Sequence, residues 1–210
     1  MQLKFSTKNI AIAIETAPRK GIMDTWFPAW ASRRNPGKEG DDLEDTAALY
    51  PEFGQLCAVS LIDVDSRETA NYVAKDVEEE RQMLEGLLDY LDQPGITLIG
   101  HALKSFILPW MAKRYLAVLS YIPPALDVAR MKPWEVPHKD TMELMKFGGN
   151  SMSLRASCLM LGLDDPNESV DGTLISGLFR IGATDRIGEY CLKRAIATAQ
   201  VYKRIDRALS

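Results

Sequence analysis

Glu15 is the acid with the most informative place in the chain. With Thr16 it closes the stretch IAIAIETAP, residues 10–18, an apolar run rich in β-branched side chains that Pro18 stops. Such a run reads as a buried strand, and α/β sheets place their chemistry at the C-terminal ends of strands. Two acids two residues apart there would stand side by side on one face of the pleat. The position two before Glu15 is Ala13, so only one carboxylate remains. A second apolar run, residues 96–100, leads directly into His101. His138 is the only other histidine, and Cys57, Cys158 and Cys191 are widely spaced with no Cys-x-x-Cys. A histidine-built metal site and a zinc frame are therefore not expected, and the thiols read as buried ones in a reducing compartment.

The elements that must position these residues follow from periodicity. Residues 10–18, 55–64 and 68–73 read as strands, the last two joined by a short turn and therefore antiparallel. Residues 19–50, polar and bearing Pro and Gly, read as a long connection or ornamented hairpin that carries Trp26, Trp30 and the acid cluster EGDDLED. Asp76, with Glu79 three residues on, caps a helix whose apolar stripe is Met83, Leu84, Leu87, Leu88 and Leu91 and which Pro94 and Gly95 end. A fourth strand covers 96–100, Ser105 caps the next helix with Pro109 in its first turn, and residues 126–129 are short and β-like before the loop KPWEVPHKD. Short helices are expected over 142–147, 153–161 and 173–180, and a long one capped by Asp185. Antiparallel strands followed by alternating helix and strand describe an α/β layer fold, expected as a single domain over residues 1–210.

The net charge of −4 hides an uneven distribution: residues 39–92 hold 16 acids against Arg67, Lys75 and Arg81, or −13, and the other 22 basic and 13 acidic residues give +9. That permits an anion-binding face without requiring one. No basic leader with a long apolar core opens the sequence, and no apolar run nears the roughly 18 residues of a membrane span. A cytoplasmic protein with no membrane partner is expected.

Four stretches, in this order and spacing, resemble the predicted 3′–5′ exonucleases related to the proofreading domain of family-B DNA polymerases, a DEDD group with a ribonuclease H-like fold. They are IAIAIETAP at 10–18, GHALKSFILPWMAKR at 100–114, KPWEVPHKDTMELMKFGG at 132–149 and DGTLISGLFRIGATDRIGEYCLKRAIATAQVY at 171–202. The resemblance implies a mixed sheet, its first three strands antiparallel and the later ones parallel, flanked by helices. It also implies nucleotide removal from a 3′ end by two divalent ions held by four carboxylates, with a tyrosine helping to place the water.

This chain departs from that pattern at the metal site. Where the first motif usually reads Asp-Ile-Glu it has Ala13-Ile14-Glu15; in the second, Ala102 replaces an Asn and Ile107 an Asp; in the last, Tyr190 is kept but the Asp four residues later is Arg194. A fixed positive charge about 5 Å from a divalent ion is a repulsion of about 6 kcal/mol at an effective dielectric of about 20. No catalytic set is therefore expected to be intact, Glu15 and Tyr190 being vestiges, and neither a metal nor another cofactor is expected. Arg194 is expected to fill the former metal hole and pair with Glu15 over an apolar floor of Ala13 and Ile107.

For function, the resemblance implies a pseudoenzyme that binds single-stranded DNA or RNA through Thr16, His101, Lys104, Phe106, Lys193 and Arg194, or a regulatory subunit of a nucleic-acid-processing assembly. The alternative is a protein-interaction or structural subunit of a replication, transcription or phage-host assembly, with Trp26, Trp30 and Trp134 as loop aromatics suited to contacts. A further alternative is an active exonuclease using Mg²⁺ or Mn²⁺ and a shifted acid set drawn from Asp140, Glu143, Asp171 and Glu189.

Overall fold

The computed structural model describes residues 8–132, 134–167 and 170–210. Residues 1–7, where a leader would begin, and Pro133, within the third family stretch, lie outside the described residues. Five strands, β1 (Asn9–Pro18), β2 (Gly54–Asp63), β3 (Thr69–Val73), β4 (Thr97–Gly100) and β5 (Lys139–Asp140), form one sheet in the order β3-β2-β1-β4-β5. The pairs β1–β2 and β2–β3 are antiparallel, β1–β4 and β4–β5 parallel. This is the mixed α/β, ribonuclease H-like sheet expected from the sequence. The helices are α1 (Phe27–Arg34), α2 (Gly40–Asp45), α3 (Val77–Leu91), α4 (Leu108–Leu119), α5 (Thr141–Leu144), α6 (Leu154–Leu161), α7 (Ile175–Arg180) and α8 (Thr184–Leu209).

Strand β1 sorts its side chains by size. Ile10, Ile12 and Ile14 join the core shared with α3 and α4, whereas Ala11, Ala13 and Ala17 join the one shared with α7 and α8. Alternation of large and small residues follows from the period-2 pleat, and the small face lets the 26-residue α8 lie close. Gly188 of α8 serves the same approach at β3, where an added Cβ would come within 2.7 Å of Val73 Cγ1. Glu15 stands one pleat beyond Ala13, at the open end of this small-residue face.

Several local expectations hold. Asp76 caps α3 by accepting from the Glu79 N–H at 2.9 Å, Ser153 caps α6, Pro109 sits in the first turn of α4, and all three cysteines are buried and free.

Others are corrected. Ser105 caps no helix: it lies inside a π turn, Leu103–Ile107, in which the Ile107 N–H donates to the Ala102 carbonyl at 3.2 Å, and Ala102 itself adopts a left-handed backbone. Residues 126–129 are not a strand. A 3₁₀ turn, Pro124–Leu126, ends there, and the Leu126 and Val128 N–H groups donate locally to the Pro123 and Leu126 carbonyls at 2.8 and 2.9 Å instead of to a ladder; the fifth strand is only two residues, too short for any periodicity to reveal. Helix α8 begins at Thr184 after Ala183, so Asp185 lies in its first turn, where it complements the helix dipole without capping. The connection at 19–50 folds into α1, α2 and two 3₁₀ turns around its own core of Ile22, Phe27, Ala31, Leu43, Ala47 and Phe53. Trp30 therefore belongs to a helix and packs edge-on against Tyr50 at 4.8 Å, while Trp26 and Trp134 are exposed.

Candidate functional site

The C-terminal end of β1 carries an irregularity where the chemistry is expected. The β1–β2 register shifts between Glu15 and Thr16, with Glu15 opposite Ala58 and Thr16 opposite Leu56. A bulge of this kind turns the strand and re-aims its side chains. Glu15, 6% exposed, meets Arg194 of α8 with Nη1 2.5 Å from its Oε1. The Arg194 guanidinium carbon also lies 5.7 Å from the centre of the Tyr190 ring, one turn earlier on α8. The pairing expected from the sequence is thus present, and Ala13 and Ile107 border it as expected.

Burial pushes the Glu15 carboxyl above its ordinary range, and the charge and hydrogen bond of Arg194 draw it part of the way back. Burial likewise raises the Tyr190 phenol and the Cys191 thiol, each to about 12. Neither offers an ionised group at neutral pH. Cys191 Sγ donates to the Ala13 carbonyl at 3.3 Å, and the Tyr190 hydroxyl to Asn167 Oδ1 at 3.4 Å.

Two spaces flank the ion pair. A small cavity of about 90 Å³ is walled chiefly by Ala13, His101, Ala102, Phe106, Ile107 and Arg194. A cleft of about 450 Å³ opens on the other side, with Glu15 and Thr16 at the strand end, Lys38, Asp42 and Asp45 from the 19–50 excursion, and Gly172, Thr173, Ile175 and Ser176 opposite. Arg180 of α7 ties the excursion down, bonding Asp45 closely and lying 3.5 Å from Asp41 and 3.4 Å from Glu44. Burial, ahead of the opposing pull of Arg180, raises the Asp45 carboxyl.

The other residues expected at a nucleic-acid interface are brought near this end of the sheet, and most are engaged within the protein. Thr16 donates to the Ala48 carbonyl at 2.7 Å. His101 is buried, with Nδ1 3.0 Å from the Thr141 hydroxyl and Nε2 donating to the Met152 carbonyl at 2.9 Å; burial lowers its basicity and favours the neutral ring. Lys104 pairs with Glu143 at 2.9 Å. Phe106 packs against the main core with its ring 6.2 Å from Trp110. Lys193 is exposed on α8.

A two-ion centre does not fit this set of donors. Of the acids named above as a shifted set, Asp140 is buried and accepts from the N–H groups of Ala102, Lys104 and Met142 at 3.0–3.1 Å, so it staples the π turn to β5. Glu143 holds Lys104, and Asp171 accepts from the Thr173 N–H at 2.9 Å; hydrogen bonds from the Thr173 backbone and hydroxyl keep its carboxyl low. Glu189 is exposed on α8. Among the described residues no group of three or more His, Cys, Asp or Glu side chains could hold a metal ion. Reading the sequence alone misses Lys38, Asp42, Asp45 and Ser176 as cleft residues. The acid run containing Asp42 and Asp45 is visible there, but its clamp, Arg180, is 135 residues from Asp45.

Fold and site together define an α/β protein with a ribonuclease H-like fold and, at the end of its first strand, a buried Glu15 paired with a partly exposed Arg194. It is similar in structure to the family B DNA polymerase from the hyperthermophilic archaeon Pyrobaculum calidifontis, with a TM-score of 0.63 and 13% sequence identity over 94% of this chain and 24% of that one. The chain thus spans about a quarter of the polymerase it matches, and at this identity the likeness is one of fold. No protein-family profile matches the sequence, and no curated protein does.

Proposed function

We propose that the chain is a catalytically inactive 3′–5′ exonuclease-like protein, serving as a non-catalytic subunit of a nucleic-acid-processing assembly. The observation that carries this reading is the Glu15–Arg194 pair, 2.5 Å apart and bordered by Ala13 and Ile107. Hard divalent ions need converging oxygens. Here the one remaining carboxylate is bound to a guanidinium, and a +1 charge stands where an ion would have to sit. The four motif stretches and the shared fold with a DNA polymerase supply the nucleic-acid context.

A second reading, direct binding of single strands, is favoured by the open cleft of about 450 Å³ at the end of β1. Against it weigh Asp42 and Asp45 on the cleft wall and the internal engagement of Thr16, His101 and Lys104. The two are separated by incubating the full chain with fluorescent single-stranded DNA and RNA in Mg²⁺ and in Mn²⁺, recording anisotropy and strand length together. The non-catalytic reading expects no shortening with either ion; progressive 3′ shortening by the unaltered chain overturns it. Salt-sensitive anisotropy lost in Lys38→Glu, at the cleft wall, establishes strand binding, and its absence leaves the subunit role.

A further inference from the structure

Away from the cleft, with which it shares no lining residue, the β2–β3 hairpin and α8 border a second cavity of about 240 Å³. Its floor is apolar, from Ile62 and Val64 at the end of β2 and Ile196 and Ala199 of α8, and two cations, Arg67 and Lys203, stand beside it. No carboxylate lines it, in contrast to the cleft. Neither cation forms an ion pair among the described residues.

The turn that presents Arg67 is built for that position. Asp63 Oδ1 accepts from the N–H groups of Asp65 and Ser66 at 2.9 and 3.0 Å, and the Arg67 N–H donates to the Asp63 carbonyl at 3.0 Å. Arg67 is thereby held at φ 66°, a left-handed backbone that is unfavourable for an L residue and suits Gly or Asn better. Strain of this kind persists where its surroundings fix it and is concentrated at binding positions. A backbone already fixed also loses little freedom when a ligand arrives.

We propose that this cavity is a docking site for an acidic segment of a partner protein, one apolar side chain entering the cavity and its flanking carboxylates meeting Arg67 and Lys203. The volume falls below the roughly 300–1,000 Å³ typical of pockets for whole small molecules, which suits a single anchoring side chain. The apolar floor supplies the anchor's burial, and the two cations supply sign selectivity and orientation, as rim charges do. The cavity shares no lining residue with the cleft or the Glu15–Arg194 pair, so the site is independent of whether the chain is catalytic.

The test uses the full chain and a capped pentapeptide, Glu-Glu-Leu-Glu-Glu, titrated while the methyl resonances of Ile62, Val64 and Ile196 are followed by NMR. Saturable shifts centred on those methyls are expected, weakened at least about fivefold in Arg67→Glu/Lys203→Glu and absent with Glu-Glu-Gly-Glu-Glu. A folded Arg67→Gln/Lys203→Gln protein should give an intermediate loss, which guards against misreading a variant that fails to fold. Absence of saturation in the unaltered chain, equal response to the glycine peptide or to Lys-Lys-Leu-Lys-Lys, or indifference to both variants would overturn the proposal. Stronger perturbation of the same methyls by a single-stranded oligonucleotide would overturn it in favour of a nucleic-acid face.

Discussion

Arg194 and Glu15 stabilise each other only as a pair. Arg194→Met leaves the buried Glu15 carboxylate without its partner, and loss of one partner of a buried pair costs about 3–5 kcal/mol; because the Arg194 side chain is 28% exposed, solvent screening brings the expected loss below that range, to about 2–3 kcal/mol at pH 7. The loss should shrink on acidification. Unfolded Glu15 titrates near its ordinary 4.5, whereas the buried carboxyl titrates higher, so between the two values the native state holds more protons and stability falls as pH rises, levelling off above the native value. Removing the cation raises the native value further and widens that window. Urea denaturation of both proteins from pH 5 to 8 checks this; a variant whose deficit is the same at every pH contradicts it.

Ala102 tells a related story at the backbone. Its φ of 59° places it in the left-handed region, where Asn is better tolerated than Ala, and Asn is the residue that the family resemblance leads one to expect there. Ala102→Asn should therefore raise stability by about 0.5–1 kcal/mol, read as an increased denaturant midpoint with unchanged slope. A decrease would mean that the wall of the small cavity, not the backbone, decides.

Among the elements, the 19–50 connection, with the turn that follows it, is the least legible from sequence. Its Pro and Gly content signalled a connection, but α1 and α2 are eight and six residues long, too short for periodicity to announce them, and they are held by residues distant in sequence. One anchor is Arg180. The other is Arg114 of α4, which grips Glu80 of α3 bidentately at 2.8 and 2.7 Å and donates to the Pro51 carbonyl at 3.1 Å, while Glu80 also accepts from the Leu56 N–H at 2.9 Å. Both side chains are almost fully buried, so Arg114→Met should cost about 3–5 kcal/mol in thermal or urea unfolding. Hydrogen exchange should show the added opening first at Pro51 to Leu56; a loss under about 1 kcal/mol would demote the pair to a surface-like contact. By contrast α3 was legible because its cap and apolar stripe are local, as was α6. The π turn was not: its cause is Asp140, whose carboxylate reaches back to the Ala102 and Lys104 amides across 38 and 36 residues.

For the molecule as a whole, the antiparallel start of the sheet could be read before any coordinates because β1 and β2 are long runs, and the pairing of Glu15 with Arg194 could be read from the motif positions that the family resemblance gives them. What could not be read is which surfaces those charges face. Asp42 and Asp45 of the acid run line the cleft, and two cations, Arg67 of the hairpin turn and Lys203 of α8, stand beside a cavity elsewhere. Among the described residues no helix is long and apolar enough to cross a membrane. The account turns on the claim that an ion pair has replaced a metal centre. Titration of the unaltered chain with Mn²⁺, monitored by electron paramagnetic resonance beside Ala13→Asp/Ile107→Asp/Arg194→Asp, addresses it directly. The unaltered chain should leave the free-ion signal undiminished at micromolar Mn²⁺ and the folded triple variant should deplete it, whereas stoichiometric uptake of two ions by the unaltered chain, lost in Glu15→Gln, would contradict the account.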